Sequence, residues 1–407
     1  MPWARTDVGS ERIKFVVRAV ARKERMTALC RAFGISRTTG YRWRRRYLEA
    51  GNFQAVVERS RRPQRSPGQT TPALEARVVE WRQQSGWGAK KIAVLLREEG
   101  LELTVTTINR ILKRRGLVDP RDGTSPALQR FARSTPNELW QMDGKGDYGA
   151  RDGRCYPLSI LDDHSRYAVG LYALPAFTAE LIYPCLVHTF ESYGVPQAML
   201  MDRGSVWWAT TNGYGLTWLS VRLIEQGIQL CYGRPYHPQT QGKIERFHRT
   251  LDEAVRHRGK PQTLGEWPGA LEEFRRVYNE RRPHEALEMQ RPAQRYRPSA
   301  RAYQPAPREW EYPSGSVMQQ LDTGGSLSWE GRRWFVCEAL AGRWVRVEEV
   351  PSQSLLVSYR HMYVREIDRG RGRTRPLVMP RDRDGALRSP SGLPPSPVPI
   401  ATPGGEV

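Results

Sequence analysis

Long apolar runs are missing from this chain. No stretch approaches the length of a membrane span. The first residues, "MPWARTDVGSERIKF", have no apolar run and no signal-peptide pattern. Paired cysteines are missing as well. Five cysteines (Cys30, Cys155, Cys185, Cys231 and Cys337) lie scattered through 407 residues, with no CxxC spacing. That excludes a zinc ribbon or a disulfide framework and leaves buried, reduced thiols as the expected state. Acidic residues are in short supply: 43 Asp and Glu stand against 64 Lys and Arg, a net charge of +21. A field of that sign favours a polyanion, and nucleic acid is the first partner to expect. The expected setting is the cytoplasm, in association with the nucleoid and without membrane contact.

What is present falls into regimes. Residues 1–67 read as short helices followed by a basic tether. Ile13, Val16, Val17 and Val20 have helical spacing. In "TALCRAFGISRTTGYRWRRRYLEAG", Thr27 can cap one helix, Gly34 makes a turn, and Ser36 can cap a second helix ending near Gly51. Two short helices across a tight turn form a helix-turn-helix. The second carries Arg37, Thr38, Thr39, Arg42, Arg44, Arg45 and Arg46, which marks it as the helix to enter a DNA groove. Residues 68–118 repeat the theme. A helix starting at a capping Thr104 carries Arg110, Lys113, Arg114 and Arg115. Either a second DNA reader or a purely structural bundle satisfies that pattern.

Residues 119–135 read as a linker. From 136 to 300 the pattern changes to three strands followed by alternating helix and strand, which implies a mixed sheet with helices. Residues 301–368 show short, aromatic-rich alternating strands, the pattern of a small SH3-like β-barrel. Residues 369–407 are rich in Arg, Pro, Gly and Ser and read as a disordered tail. The expected fold class is multidomain: an all-α helix-turn-helix N-terminus, an α/β central domain and a small C-terminal β-barrel.

Acids on a surface that faces DNA are a cost unless they hold cations. Asp143 in "LWQMDGKG" and Asp202 in "AMLMDRGS" end strands, and Glu245 lies in the first turn of a helix within "PYHPQTQGKIERFHRT". Three carboxylates from separate elements could hold two magnesium ions, the arrangement that phosphoryl transfer on nucleic acids often uses. Lys243 and Arg249 would then hold DNA phosphates. His237, Gln239 and Gln241 are further candidate contacts. Asp147, Asp162 and Asp163 compete with Asp143. "DDHSRY" could be structural, with an Asp bonding turn amides and Arg166 pairing. Glu225 competes with Glu245, but sits in an amphipathic helix where it should be solvated. In "YNERRPHEAL", Asn279, Arg281, Arg282, Pro283 and His284 read either as a cap that touches DNA or a second subunit, or as a helix-end packing motif. His284 reads as a hydrogen-bonded structural residue.

The set "ELWQMDGKG", "LSILDDHSRY", "PQAMLMDRGS", "PYHPQTQGKIERFHRTL" and "YNERRPHEALEMQRPAQRY" resembles the bacterial insertion-sequence transposases with a retroviral-integrase-type (DDE) core. The tandem helix-turn-helix N-terminus is similar to the subgroup that encodes the enzyme in one frame. The resemblance implies a ribonuclease H-like catalytic core over 136–300. It also implies a catalytic and metal-binding triad of Asp143, Asp202 and Glu245, with two magnesium ions for which manganese can substitute. It implies cleavage at element ends, strand transfer into target DNA, and a homo-oligomer on double-stranded DNA. A catalytically silent, sequence-specific DNA-binding protein is the alternative. Two departures stand out. The Asp202–Glu245 interval is longer than the family's, with the excess expected in "VWWATTNGYGLTW" as a loop away from the metals. Arg203 stands where the family usually has Asn.

Overall fold

The computed structural model describes residues 8–57, 70–118, 132–209, 215–232, 242–306, 310–350 and 353–380. The chain divides into two compact units, Met1–Thr71 and Pro72–Val407.

In the first unit, α1 (Val8–Ala21), α2 (Met26–Ala32) and α3 (Arg37–Ala50) enclose Phe15, Val16, Leu29, Cys30 and Trp43. Gly34 (φ 64°) makes the turn before α3. Ser36 caps α3 by accepting the Thr39 amide, and Gly51 closes it in the left-handed conformation. Gly40 lets α3 approach its neighbours, since a Cβ there would lie 2.5 Å from Cys30 Sγ. Two expectations shift. Arg25, not Thr27, precedes the first turn of α2, and no side chain caps it. The buried face of α1 runs through Phe15, Val16 and Ala19, leaving Ile13 and Val17 exposed.

The second unit begins with α4 (Pro72–Ser85), α5 (Ala89–Glu98) and α6 (Val105–Arg114), packed around Val78, Ile92, Leu96, Ile108 and Ile111. Thr104 caps α6 as expected. A mixed sheet follows. Its strands are β1 (Trp140–Gly144), β2 (Tyr148–Ala150), β3 (Gly153–Asp162), β4 (Ala168–Leu174), β5 (Ala198–Met201) and β8 (Gln229–Tyr232). β3 runs antiparallel to β1, β2 and β4, whereas β1, β5 and β8 are parallel neighbours in that order. Antiparallel β4, β3 and β1 extended by parallel β5 and β8, with short β2 also paired to β3, is the ribonuclease H-like order. The hairpin of β6 (Trp208–Ala209) and β7 (Gly215–Leu216) lies between β5 and β8 in sequence. The helices of this part are α7 (Ala179–Tyr193), α8 (Trp218–Glu225), α9 (Gly242–Arg258), α10 (Trp267–Glu280) and α11 (Pro292–Arg295).

The C-terminal strands are β9 (Val317–Gln320), β10 (Ser326–Trp329), β11 (Arg332–Phe335), β12 (Trp344–Val350), β13 (Ser354–Tyr359), β14 (Met362–Asp368) and β15 (Arg373–Pro380). They do not close into the expected barrel. β15, β14, β13, β12 and β9 form an open antiparallel sheet in that order, and β10 and β11 form a separate hairpin. Closure is not needed to hide the apolar face, because Val345, Val347, Leu355, Val357 and Ile367 share one core cluster with Met199, Trp208, Leu216 and Leu230. The tail expected from residue 369 is corrected too: Arg373–Pro380 pairs with β14, and Arg375 bonds Glu366. As an edge strand, β15 tolerates its prolines. The linker stretches 58–69 and 119–131, and residues 381–407, lie outside the described residues.

Candidate active site

Parallel pairing explains how two acids distant in sequence become neighbours. In the β1–β5 ladder Trp140 faces Met199 and Gln141 faces Leu200, so continuing the register sets Asp143 beside Asp202 at the carboxyl ends of both strands. That edge is where ligands bind in open α/β sheets. The amide of Gly144 bonds the Asp143 carboxyl. Gly144 must be glycine, because a Cβ would meet the Phe177 ring at 2.5 Å. Asp202 Oδ1 accepts the Gly204 amide at 3.0 Å and the side chain stays exposed. Arg203, the departure from the family pattern, stacks over the Trp208 ring (4.9 Å).

Helix α9 buries Ile244, Phe247, Thr250 and Leu251, which leaves Glu245 exposed in its first turn. One turn later His248 reaches the sheet. Its Nε2 lies 3.0 Å from Ser159 Oγ, and its Nδ1 lies 3.8 Å from Asp143 Oδ2. Ser159 is the cross-strand partner of Asp143 in the β1–β3 ladder. His248 therefore ties the helix that carries Glu245 to the strand pair that carries Asp143. Burial, reinforced by Lys145 and opposed by Asp252, pushes the imidazole down to about 4, so its contact with Asp143 is polar rather than ionic at neutral pH. Asp252 in turn accepts from Tyr148 Oη (2.6 Å) and pairs with Lys145 (3.0 Å).

The other two acids act on Asp143. Burial first, then the charge of Asp202, then that of Glu245 raise the Asp143 carboxyl to about 7, against the bond from Gly144. Among the described residues, no three His, Cys, Asp or Glu side chains stand close enough together to hold a metal ion unaided. What fits a cation here is the uncompensated field at Asp143, which a positive ion would relieve.

The competing acids have structural partners. Asp162 accepts from the Ser165 amide and hydroxyl and from the Asn137 amide, as a turn-bonding aspartate should. Asp163 accepts from Gln141 and the Arg133 amide, and Arg166 bonds its carbonyl. Asp147 pairs with exposed Arg154. Asp163 also takes the Lys243 ammonium. Lys243 is thus mostly buried and paired, not turned outward to phosphates as expected, because the carboxylate beneath it needs a counter-charge. Burial, with nearby Arg166, brings Lys243 down to about 8. Arg249 is exposed.

On α3, Arg37, Thr38, Arg42 and Arg45 are exposed, Arg44 is half-buried, and the Thr39 hydroxyl meets that of Ser36. On α6, Arg110 and Lys113 are exposed, whereas Arg114 is paired with Glu75. Asn279 bonds both the amide and the carbonyl of Ala168, locking α10 to β4. His284 is neutral, pushed down to about 3 chiefly by burial, and packs edge-on against Tyr278. His237, Gln239 and Gln241 lie outside the described residues. The stretch expected as a loop insertion is integral instead. Trp207, Trp208 and Leu216 belong to the main core, and Cys337 Sγ donates to the Leu216 carbonyl at 3.5 Å. Residues 210–214 are not described.

A helix-turn-helix domain model matches residues 11–64 and a homeodomain-like domain model residues 39–112. Integrase core domain models match residues 133–238 and 226–292. The 31.7 kDa protein of insertion element IS407 from Burkholderia multivorans is 24% identical over 241 residues, 56% of this chain and 82% of that protein. The 39.2 kDa protein of insertion element IS476 from Xanthomonas euvesicatoria is 26% identical over 234 residues, 56% of this chain and 66% of that protein. Weaker structural likenesses exist to the HTLV-2 integrase catalytic core domain in complex with magnesium (13% identity, 40% of this chain, 97% of that one, TM-score 0.31). The same holds for the simian T-cell lymphotropic virus intasome in complex with PP2A regulatory subunit B56 gamma (14%, 70% and 97%, TM-score 0.35). At those scores they add nothing to the strand order. The chain thus carries helix-turn-helix and integrase core domains and is similar to proteins of two bacterial insertion elements.

Proposed function

We propose that the chain binds the terminal inverted repeats of its element and catalyses metal-dependent strand cleavage and strand transfer, with Asp143, Asp202 and Glu245 as the catalytic and metal-holding acids. The observation that carries this reading is the β1–β5 register that sets Asp143 beside Asp202 at the strand ends; burial and the charges of Asp202 and Glu245 then raise the Asp143 carboxyl to about 7. Hard oxygen donors of this kind suit magnesium, with manganese as a substitute. Two such ions, when bound, supply charge neutralisation at the phosphodiester and activation of the attacking oxygen.

The chain's own residues do the positioning. β1 and β5 hold Asp143 and Asp202 as neighbours, and α9, pinned through His248, carries Glu245 in its first turn, where its charge acts on Asp143. Water and then a DNA 3′-hydroxyl attack in turn, so no side-chain nucleophile is required, and catalysis rests on orientation and electrostatics. Exposed Arg37, Thr38, Arg42, Arg45, Arg110, Lys113 and Arg249 supply DNA contacts. Joining two element ends to one target calls for at least two protomers. The work is done at the nucleoid. No described helix is long and apolar enough to cross a membrane.

The test is an assay on labelled duplex carrying the DNA that flanks the coding frame, with magnesium, with EDTA and with Glu245→Gln. Magnesium-dependent 3′-end cutting and joining is expected, lost in the variant while binding persists. Specific binding without cutting in magnesium or manganese would overturn the reading in favour of a catalytically silent DNA-binding protein.

A further inference from the structure

Within the second unit the helical module α4–α6 is docked on the catalytic sheet's helices. Lys90 and Lys91 both reach Glu285, at 2.8 and 3.7 Å, and Arg291 pairs with Glu98. His257 of α9 meets the Gln83 carbonyl at 2.7 Å, and its ring lies 3.1 Å from where a Cβ on Gly86 would stand. The Arg282 guanidinium lies 6.0 Å from the centre of the Trp87 ring. The motif "YNERRPHEAL" is therefore a docking element for the module.

This junction is over-supplied with positive charge. Lys91, Arg246 and Arg282 act on one another there, with Glu285 and Glu253 as the opposing acids and Lys90 paired with Glu285. Glu285 is already engaged by Lys90, which leaves Lys91 a long contact. Neither Arg246 nor Arg282 forms an ion pair with a described residue, and Arg282 Nε is buried without a described hydrogen-bond partner. Arg246 directly follows Glu245 on α9, while Lys91 sits on α5, which packs against α6. The cluster thus lies between the helix that carries Arg110 and Lys113 and the acids.

We propose that Lys91, Arg246 and Arg282 form a seat for a backbone phosphate of the DNA running from α6 to the catalytic acids. The seat fixes the distance between the sequence that α6 reads and the bond that is cut. This rests on the function proposed above and adds a site to it. The module then acts as a rigid ruler instead of a tethered reader.

The experiment measures binding of the flanking-DNA duplex over a range of salt for the full-length chain, for Arg246→Gln, for Lys91→Gln and for the double variant. Arg246 is exposed, so its substitution tests the seat without burdening the fold, and a melting curve of each variant checks this. Each lost phosphate contact lowers the slope of log affinity against log salt by about 0.9. A drop of that size in each single variant, roughly doubled in the double one, is the expected result. Slopes equal to that of the unaltered protein would overturn the seat while leaving the function standing. Failure of the unaltered protein to bind the duplex would overturn the function, and the seat with it.

Discussion

A carboxyl held at about 7 by burial and by its acidic neighbours costs stability wherever it is ionised. Unfolded, Asp143 titrates near 3.8; folded, near 7. The folded state binds the proton more tightly, so the contribution of Asp143 to stability is greatest below about pH 4, is lost as pH rises to about 7, and changes no further above that. The difference is on the order of 4 kcal/mol at pH 8. Asp143→Asn, scanned without divalent metal, should therefore melt several degrees higher at pH 8, and the gain should shrink steadily towards pH 4. Equal gains at pH 8 and pH 4 would show that the crowding of acids is not the cause. His248 belongs to the same scale. His248→Ala should lower cutting roughly tenfold to a hundredfold. His248→Gln, which still reaches Ser159, should recover part of the loss, and DNA affinity should stay unchanged in both. Of these residues the sequence made the acids visible, because each ends a strand or opens a helix. It hid Ser159 and Asp252, because a cross-strand partner and a helix residue that meets a strand 104 positions away leave no mark in composition.

Helices announced themselves well. Ser36, Thr104, Gly34 and Gly51 have the capping and turn roles that their chemistry suggests. The exposed basic faces of α3 and α6 also followed from the sequence. Lys243 did not, because a basic residue beside Glu245 looks like a phosphate ligand until the buried carboxylate of Asp163 is known to lie beneath it. Gly40 is the element-scale test in the first unit. A methyl at that position would press on Cys30 Sγ at 2.5 Å and Phe15 Cζ at 2.9 Å. Gly40→Ala should destabilise the α1–α3 bundle by about 1–3 kcal/mol and weaken DNA binding in proportion, read by thermal melting and binding together. An unchanged melting curve would mean that α3 can shift away at no cost.

The second unit joins two sheets that the sequence presents as separate domains. Glu225 shows why the joint was hard to foresee. Its place in an amphipathic helix suggested a solvated side chain, yet it is 6% exposed. It accepts from Tyr359 Oη at 3.0 Å and pairs with Arg222 (3.1 Å) and Arg343 (3.0 Å). Tyr359 and Arg343 come from the C-terminal sheet, so the acid bridges parts far apart in the chain, and periodicity within one helix cannot reveal that. Removing one member of a buried charged group leaves the others uncompensated, typically at a cost of about 3–5 kcal/mol. Glu225→Ala should loosen the C-terminal sheet first, seen as faster proteolytic release of a fragment that carries β9–β15. Release at the unaltered rate would mean that apolar contact alone holds the sheets together.

The shared core also bears on how copies of such an element decay in a genome. A premature stop codon between α11 and β12 would spare all three acids and the helices that read DNA. It would nevertheless strip Val345, Val347, Leu355, Val357 and Ile367 from Met199, Trp208 and Leu230, leaving a greasy face on the strands that hold Asp202. The shortened product is then prone to aggregation, and loss of the C-terminal sheet silences the copy.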